Sequence, residues 1–450
     1  MQERLPSNPR PYFRRGLLRT EHFWTWPLLF VVVAGILFCR QPSAIRYPGF
    51  CDEDGLIYFK QGYEQGAFSV LLLPYNGYLQ IVPRAVAALG SLFPLRFVPG
   101  LYAYASLILA ATVFTFFYSA NFRPVLASDT VRVGVILLLT LMPNSDSLMR
   151  LAYLPWYMLW FITLVVLMEL PRGSWRRGIL FGALTLAIWS TPVAVVCLPV
   201  VFLRLLRAAD QKERIWWTAV ILSVVAYALT ADRGVIWNFW RPGLIQSVVH
   251  AIGYRVFCFF FLGSVLAKPL LDSGWEMVTR FSLLLAGVCV LAGVLMAGQK
   301  LHHSENRPWT SLILLYLIIA LPTLFVLRPQ WIPNFLTVSG EAWAWHQRYF
   351  FCSTLLLCVF FGMMYETVRD WLFTNLPRRG LASVLLLSWI SLHTPTFVLQ
   401  GWQVKPGWKH FAREIRAAEI RVNQTGKQEI VHIPNAVAIW AFDLIVEKKM

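Results

Sequence analysis

The sequence predicts an all-α polytopic membrane protein, a bundle of about eleven transmembrane helices with further helices along the outer leaflet and a small outer α+β tail. Three observations carry this. Of the 450 residues, 57% are hydrophobic and only 14% charged, against about 25% charged in an ordinary soluble domain. Apolar runs long enough to cross a bilayer recur along the chain, as at residues 23–39 and 281–298. The net charge of +17 lies in short segments between those runs. That is the positive-inside pattern of a membrane protein, not a nucleic-acid footprint, so nucleic acid is not expected as a partner. Tryptophans at run ends, such as Trp24, Trp26, Trp216, Trp217 and Trp309, suit the membrane interface, where one edge of an indole is wet.

Taken in order, Arg4, Arg10, Arg14, Arg15 and Arg19 hold the N-terminus in the cytoplasm. No small-residue cleavage site follows, so residues 23–39 read as a retained anchor. The chain returns at 101–119, exits at 131–143 and re-enters at 151–169, and the inner turns carry Arg123 and Arg132, then Arg172, Arg176 and Arg177. Residues 178–206 are too long for one untilted crossing and are flanked by basic residues on both sides, which predicts a tight hairpin turning at Ser190, Thr191 and Pro192. Crossings at 215–231, 280–297, 311–327, 349–368 and 381–399 follow. A crossing at 244–267 would put the basic turn around Lys300 outside, so that run is expected to be a re-entrant or surface-lying helix carrying Arg255. The odd count places the C-terminus outside the inner, cytoplasmic membrane.

The chain thus divides into a transmembrane domain, 1–400, with a first outer loop at 40–100, and an extracytoplasmic tail, 401–450. In the tail a helix is expected at 408–420, a turn at 423–426, and strands near 430–433 and 436–446. The seven cysteines lack CxxC spacing and read as packing residues.

The first outer loop carries the chemistry. Asp52, Glu53 and Asp54 lie near the membrane, where clustered carboxylates are costly unless they hold a cation, share a proton or act as a base; solvated surface acids are the plain alternative. Gly55 would let a substrate approach Asp54 closely. The run 77–92 has Pro83 and Arg84 in its middle and is expected to lie along the outer leaflet. Arg84 there either forks onto phosphate oxygens or snorkels to the interface. Just before this run stand Tyr75, Asn76 and Tyr78. A second outer loop ends in Glu341, His346, Arg348 and Tyr349, and Arg348 at the mouth of a crossing needs either a protein carboxylate or a ligand anion. Arg150, Tyr153, Trp156 and Tyr157 add another cation beside aromatic rings.

This arrangement resembles the GT-C class of membrane glycosyltransferases: an N-in bundle, a long first outer loop that starts with acids, outer-leaflet helices and an outer tail. The stretch from Pro74 to Arg84 and the later Arg348-Tyr349-Phe350 look like segments of poorly characterised bacterial proteins of that type. The resemblance implies an inverting transfer of a sugar from a polyprenyl-phosphate donor to a glycolipid or cell-envelope glycan acceptor. It implies a base or metal ligand among Asp52, Glu53 and Asp54, with a divalent cation (Mg or Mn) held by Asp52 and Asp54. Donor and acceptor would be met by Tyr75, Asn76, Tyr78, Arg84, Arg150, Trp156, His346, Arg348 and Tyr349. A tail of some fifty residues is too small for a protein-acceptor domain. The competing expectation, a transporter or flippase of lipid-linked glycans, wants charges inside the crossings, and these hold almost none. An acyltransferase would want a central histidine, whereas His302 and His303 fall on the cytoplasmic side.

Overall fold

The computed structural model describes residues 24–51, 53–142, 149–230, 244–299, 307–326, 347–373, 376–393, 407–434 and 441–448. Apolar runs fold as helices because an apolar setting leaves backbone N–H and C=O groups only one another to bond. The described residues form seventeen α-helices and one two-stranded sheet. In chain order the helices are α1 (Thr25–Arg40), α2 (Ser43–Arg46), α3 (Lys60–Gln65), α4 (Ile81–Gly90), α5 (Val98–Phe116), α6 (Asp129–Leu141), α7 (Leu154–Leu167), α8 (Ser174–Ile188) and α9 (Leu198–Leu206). Then come α10 (Gln211–Thr230), α11 (Leu244–Ile252), α12 (Phe259–Asp272), α13 (Trp275–Gln299), α14 (Arg307–Val326), α15 (Phe351–Phe373), α16 (Leu376–His393) and α17 (Trp408–Thr425). Strands β1 (Glu429–Ile433) and β2 (Phe442–Val446) pair antiparallel, Glu429 opposite Val446.

Three stretches, Leu95–Phe116, Glu276–Leu295 and Phe351–Arg369, are long and apolar enough to cross a membrane. Among the described residues, shorter apolar segments of 10–17 residues include Thr25–Arg40 and Leu151–Leu167, less than an untilted crossing requires. Helix length and composition in these residues support three crossings, and the count of about eleven is not confirmed. Helix α7 is buried almost all round and packs against α5 and α8, so it is the core of the bundle. By contrast, α13 exposes Leu283, Leu284, Val288, Leu291 and Leu295, a surface that water solvates poorly.

The expected hairpin is present: α8 stops at Ile188, Pro192–Cys197 forms a 3-10 turn, and α9 returns. The run 244–267 is interrupted twice, by a π-turn at Gly253–Cys258 and by a break at Gly263 (φ 61°, ψ −175°). A Cβ at Gly263 would lie 2.3 Å from the carbonyl oxygen of Leu392, so glycine alone allows α16 to approach. The Phe260 carbonyl, just before the break, accepts from Trp389 Nε1 at 2.7 Å and lies 3.1 Å from His393 Nε2. The interruption thus leaves no cost of an unmatched carbonyl there.

Hydrogen bonds sort the helix termini into two ends. At one end Arg40, closing α1, donates to the Thr140 carbonyl of α6, and the Ser190 hydroxyl accepts from Val82 N at the start of α4. There too the Tyr227 hydroxyl of α10 donates to the Leu79 carbonyl, and Trp408 Nε1 of the tail donates to the Leu95 carbonyl. At the other end Glu366 of α15 accepts from Ala127 N and Ser128 N, ahead of α6. Arg204 of α9 donates to the carbonyls of Val166, Leu167 and Met168, closing α7. The tail lies on the first loop: the Tyr63 hydroxyl donates to Glu419 at 2.7 Å, Ile445 N donates to Glu64, and Trp408 meets Phe50 and Phe59 edge-on.

Candidate functional site

The site is built at the end of the bundle where the first loop meets the tail. After Cys51 the chain makes a π-turn over Asp54–Phe59 before α3. Wide turns of this kind cluster at functional positions. Its first residue, Asp54, is buried, and its two carboxylate oxygens accept from the backbone N–H groups of Leu151 (3.3 Å) and Ala152 (2.8 Å). Those are the first N–H groups of the 3-10 turn that leads into α7, so Asp54 caps the central helix from a distant part of the chain. A carboxylate with both oxygens engaged has less capacity to take a proton from an acceptor. Gly55 does not admit substrate either: the Phe442 ring of β2 fills that space, 2.6 Å from where a Cβ would sit. The packing of Phe442 removes the argument from Gly55 that favoured Asp54 over its neighbours.

Glu53, half-buried, is near enough to a group of phenols for its charge to act on them. The Tyr58 and Tyr75 hydroxyls are both pushed up from the ordinary tyrosine value, first by burial and next by the Glu53 carboxylate beside them. Tyr78 adds to both shifts and Tyr349 to that of Tyr75, so four tyrosines from three segments share this space. Tyr349 stands in the 3-10 turn Gln347–Phe350 and meets the Trp156 ring edge-on at 5.1 Å. Asn76 and Gly77 both have positive φ, and Tyr75 and Tyr78 exchange backbone hydrogen bonds across them, an Asn-Gly hairpin turn that orients the two rings. Asn76 is thus a turn-former that presents the rings.

Arg84 lies at the floor of this cluster, on α4, and is only 1% exposed. Its guanidinium carbon sits 6.0 Å from the Tyr58 ring centre, and one terminal nitrogen donates to Gln61 Oε1 at 3.1 Å. Nε and the other terminal nitrogen have no hydrogen-bond partner among the described residues, and burial pulls the guanidinium below its usual range. Tyr58 in turn donates to Gln80. A buried charge costs several kcal/mol in desolvation, and one hydrogen bond from a charged group returns about 1.5–3. Arg84 is therefore underpaid by its protein neighbours and suited to an anion. Sequence reasoning missed Tyr58, Gln61, Gln80 and Tyr227; the signal available was two glutamines flanking otherwise apolar stretches.

Arg150 does not join Arg84. It is buried beside the Tyr153 ring (5.5 Å) and lines a separate small cleft with Gln41, Cys51, Asp54 and Met149. That cleft's free volume, about 30 Å³, admits a water-sized group and no sugar ring. Asp52 and His346 lie outside the described residues, and of Arg348 only the backbone is described. The described acids do not fit a divalent cation: Asp54 is engaged with backbone N–H groups, and no group of three His, Cys, Asp or Glu side chains gathers among the described residues. Within the tail, His432 pairs with Asp443 and Arg421 with Glu429, which are cross-links of the small domain. No protein-family model matches this chain, and no curated protein or solved structure is similar to it, so its function has to be argued from this chemistry.

Proposed function

We propose that the chain is a membrane glycosyltransferase that moves a sugar from a polyprenyl-phosphate donor to a glycolipid or cell-envelope glycan acceptor. The observation that carries this is Arg84: a buried, planar cation with two donor nitrogens unmatched among the described residues, set against the ring of Tyr58, a phenol that the Glu53 carboxylate also acts on. A guanidinium binds phosphate oxygens in a two-pronged fashion, and phenol and indole faces suit sugar rings. Glu53 takes the place of base: its carboxylate receives the acceptor proton while Arg84, hydrogen-bonded to Gln61, stabilises charge on the departing phosphate. Asp54 positions the loop by capping the turn before α7. Transport of the lipid-linked glycan is less supported, because Arg40, Arg132 and Arg204 each donate to helix-end or loop carbonyls, a structural use of the charge.

The same reading orients the chain with its first loop and tail outside the cytoplasm, in a multi-pass inner-membrane bundle. A reporter fused after Met450 should then be active only outside; activity in the cytoplasm would invert the site. Transfer is tested by supplying membranes with radiolabelled polyprenyl-phosphate sugars and following label into glycolipid. Glu53→Gln should reduce transfer at least about 100-fold, the usual worth of a general base, with expression intact. Full activity in that variant would remove Glu53 from the role.

A further inference from the structure

Between Glu64 and Arg96 the chain carries one charged residue in thirty-one, the buried Arg84. The helix expected along the leaflet, α4, accounts for part of this stretch. The loop before it, residues 67–73, is unaccounted for: Ala-Phe-Ser-Val-Leu-Leu-Leu, with Phe68 60% and Leu72 65% exposed while Val70 alone is fully buried. A water-facing loop of that composition would be unusual, since turns exposed to water are rich in Asn, Asp, Ser and Gly.

Two of the loop's backbone N–H groups are bonded within it, which lowers the cost of leaving water. Leu71 N donates to the Phe68 carbonyl and Leu73 N to the Val70 carbonyl. Ser69, the one polar residue, turns its hydroxyl back on the Gln65 and Gly66 carbonyls, the latter at 2.7 Å. Pro74, which follows, has no N–H to satisfy. Beyond α4, Leu89, Leu92, Phe93 and Phe97 are exposed as well, and the Arg96 guanidinium stacks on the Phe97 ring at 4.5 Å, where a charged head can meet lipid phosphate above apolar neighbours.

We infer that residues 67–73 form a membrane-inserted turn: Phe68 and Leu72 lie among the acyl chains of a phospholipid leaflet, as do Leu89, Leu92 and Phe93 at the end of α4, with Arg96 at the headgroups. The turn ties the first loop to the bilayer, so that the Tyr75–Tyr78 hairpin following it is held at the membrane surface. The inference concerns the surface alone and holds whether or not the protein transfers sugar.

Nitroxide labels provide the test. The full chain carrying Cys39→Ser, which removes the single exposed cysteine among the described residues, is labelled at Phe68→Cys, Leu72→Cys or Phe93→Cys in nanodiscs of phosphatidylglycerol and phosphatidylethanolamine. Leu284→Cys on α13 and Lys427→Cys in the tail serve as references. Labels at 68 and 72 should relax strongly with oxygen and weakly with a water-soluble nickel chelate, as at 284. Nickel accessibility equal to that at 427 would overturn the inference. Protection from both reagents, the mark of burial against protein, would overturn it as well.

Discussion

The two ends of the bundle use buried charge differently. At the end marked by Arg204 and Glu366, each of these charges finishes a helix: Arg204 closes three carbonyls of α7 and its surroundings, and Glu366 takes two N–H groups ahead of α6. Arg132, close by, donates to the Leu126 carbonyl and pairs with Asp129. At the opposite end Asp54 and Arg40 serve in the same way, but Arg84 does not, and the charge of Glu53 acts on phenols. The difference teaches that burial of a charge is a poor sign of function in this chain; what sets Arg84 apart is that two of its three guanidinium nitrogens are unmatched among the described residues, against one in Arg132.

The largest expected effect tests that contrast on stability. Arg204→Met removes the donors of three carbonyls and should cost about 3 kcal/mol, read as a lower melting temperature in detergent. Arg84→Met should leave the melting temperature unchanged or raised, because an uncompensated buried charge is removed. Equal losses from both would erase the distinction. Next, the neighbouring acids should part company: Asp54→Ala should cost about 2 kcal/mol as a lost helix cap, whereas Glu53→Ala should stay within about 0.5 kcal/mol. Comparable destabilisation by Glu53→Ala would make it a structural residue too. Tyr63→Phe, which cuts the link from first loop to tail, should lose about 1 kcal/mol, and a double-mutant cycle with Glu419→Gln should recover most of that as coupling.

The smallest effect is a pH dependence in the tail. Hydrogen bonding to Arg421 lowers Glu429 below the ordinary carboxylate value. Its contribution is therefore fully present above the unfolded value and lost as pH falls through the lowered folded value. The melting-temperature gap between the native chain and Glu429→Gln should be constant near neutrality and close in acid. A gap that persists at low pH would mean the pair is not what links helix and strand.

Much of the helical layout was legible because apolar runs and basic turns are local signals: the hairpin at Ser190–Pro192 and the first tail strand lie where the sequence puts them, while the tail helix runs on through the expected turn to Thr425 and the described second strand is Phe442–Val446. Local signals could not reveal that Asp54 caps residues near 151, because an acid on an irregular loop announces no partner a hundred or so positions away. Nor could they separate Arg150 from Arg84, which are both arginines in apolar surroundings on the sequence. The breaks at Gly263 and at the π-turn of Asp54–Phe59 depend on what packs against them, the Leu392 carbonyl in the first case and the Phe442 ring in the second. Arg84 was legible for the opposite reason: it is the only charge in a long apolar stretch.

The most direct test of the central claim is binding of a polyprenyl monophosphate, without sugar, to the purified protein in nanodiscs, followed by ³¹P NMR and by melting temperature. The native chain should bind saturably and gain stability, while Arg84→Lys, which keeps the charge and loses the fork, should bind about 10- to 100-fold more weakly, the equivalent of one charge-assisted hydrogen bond. Arg150→Lys, in the separate cleft, should bind as the native chain does. Unchanged affinity in Arg84→Lys, or a matching loss in Arg150→Lys, would contradict the assignment of Arg84 to the phosphate.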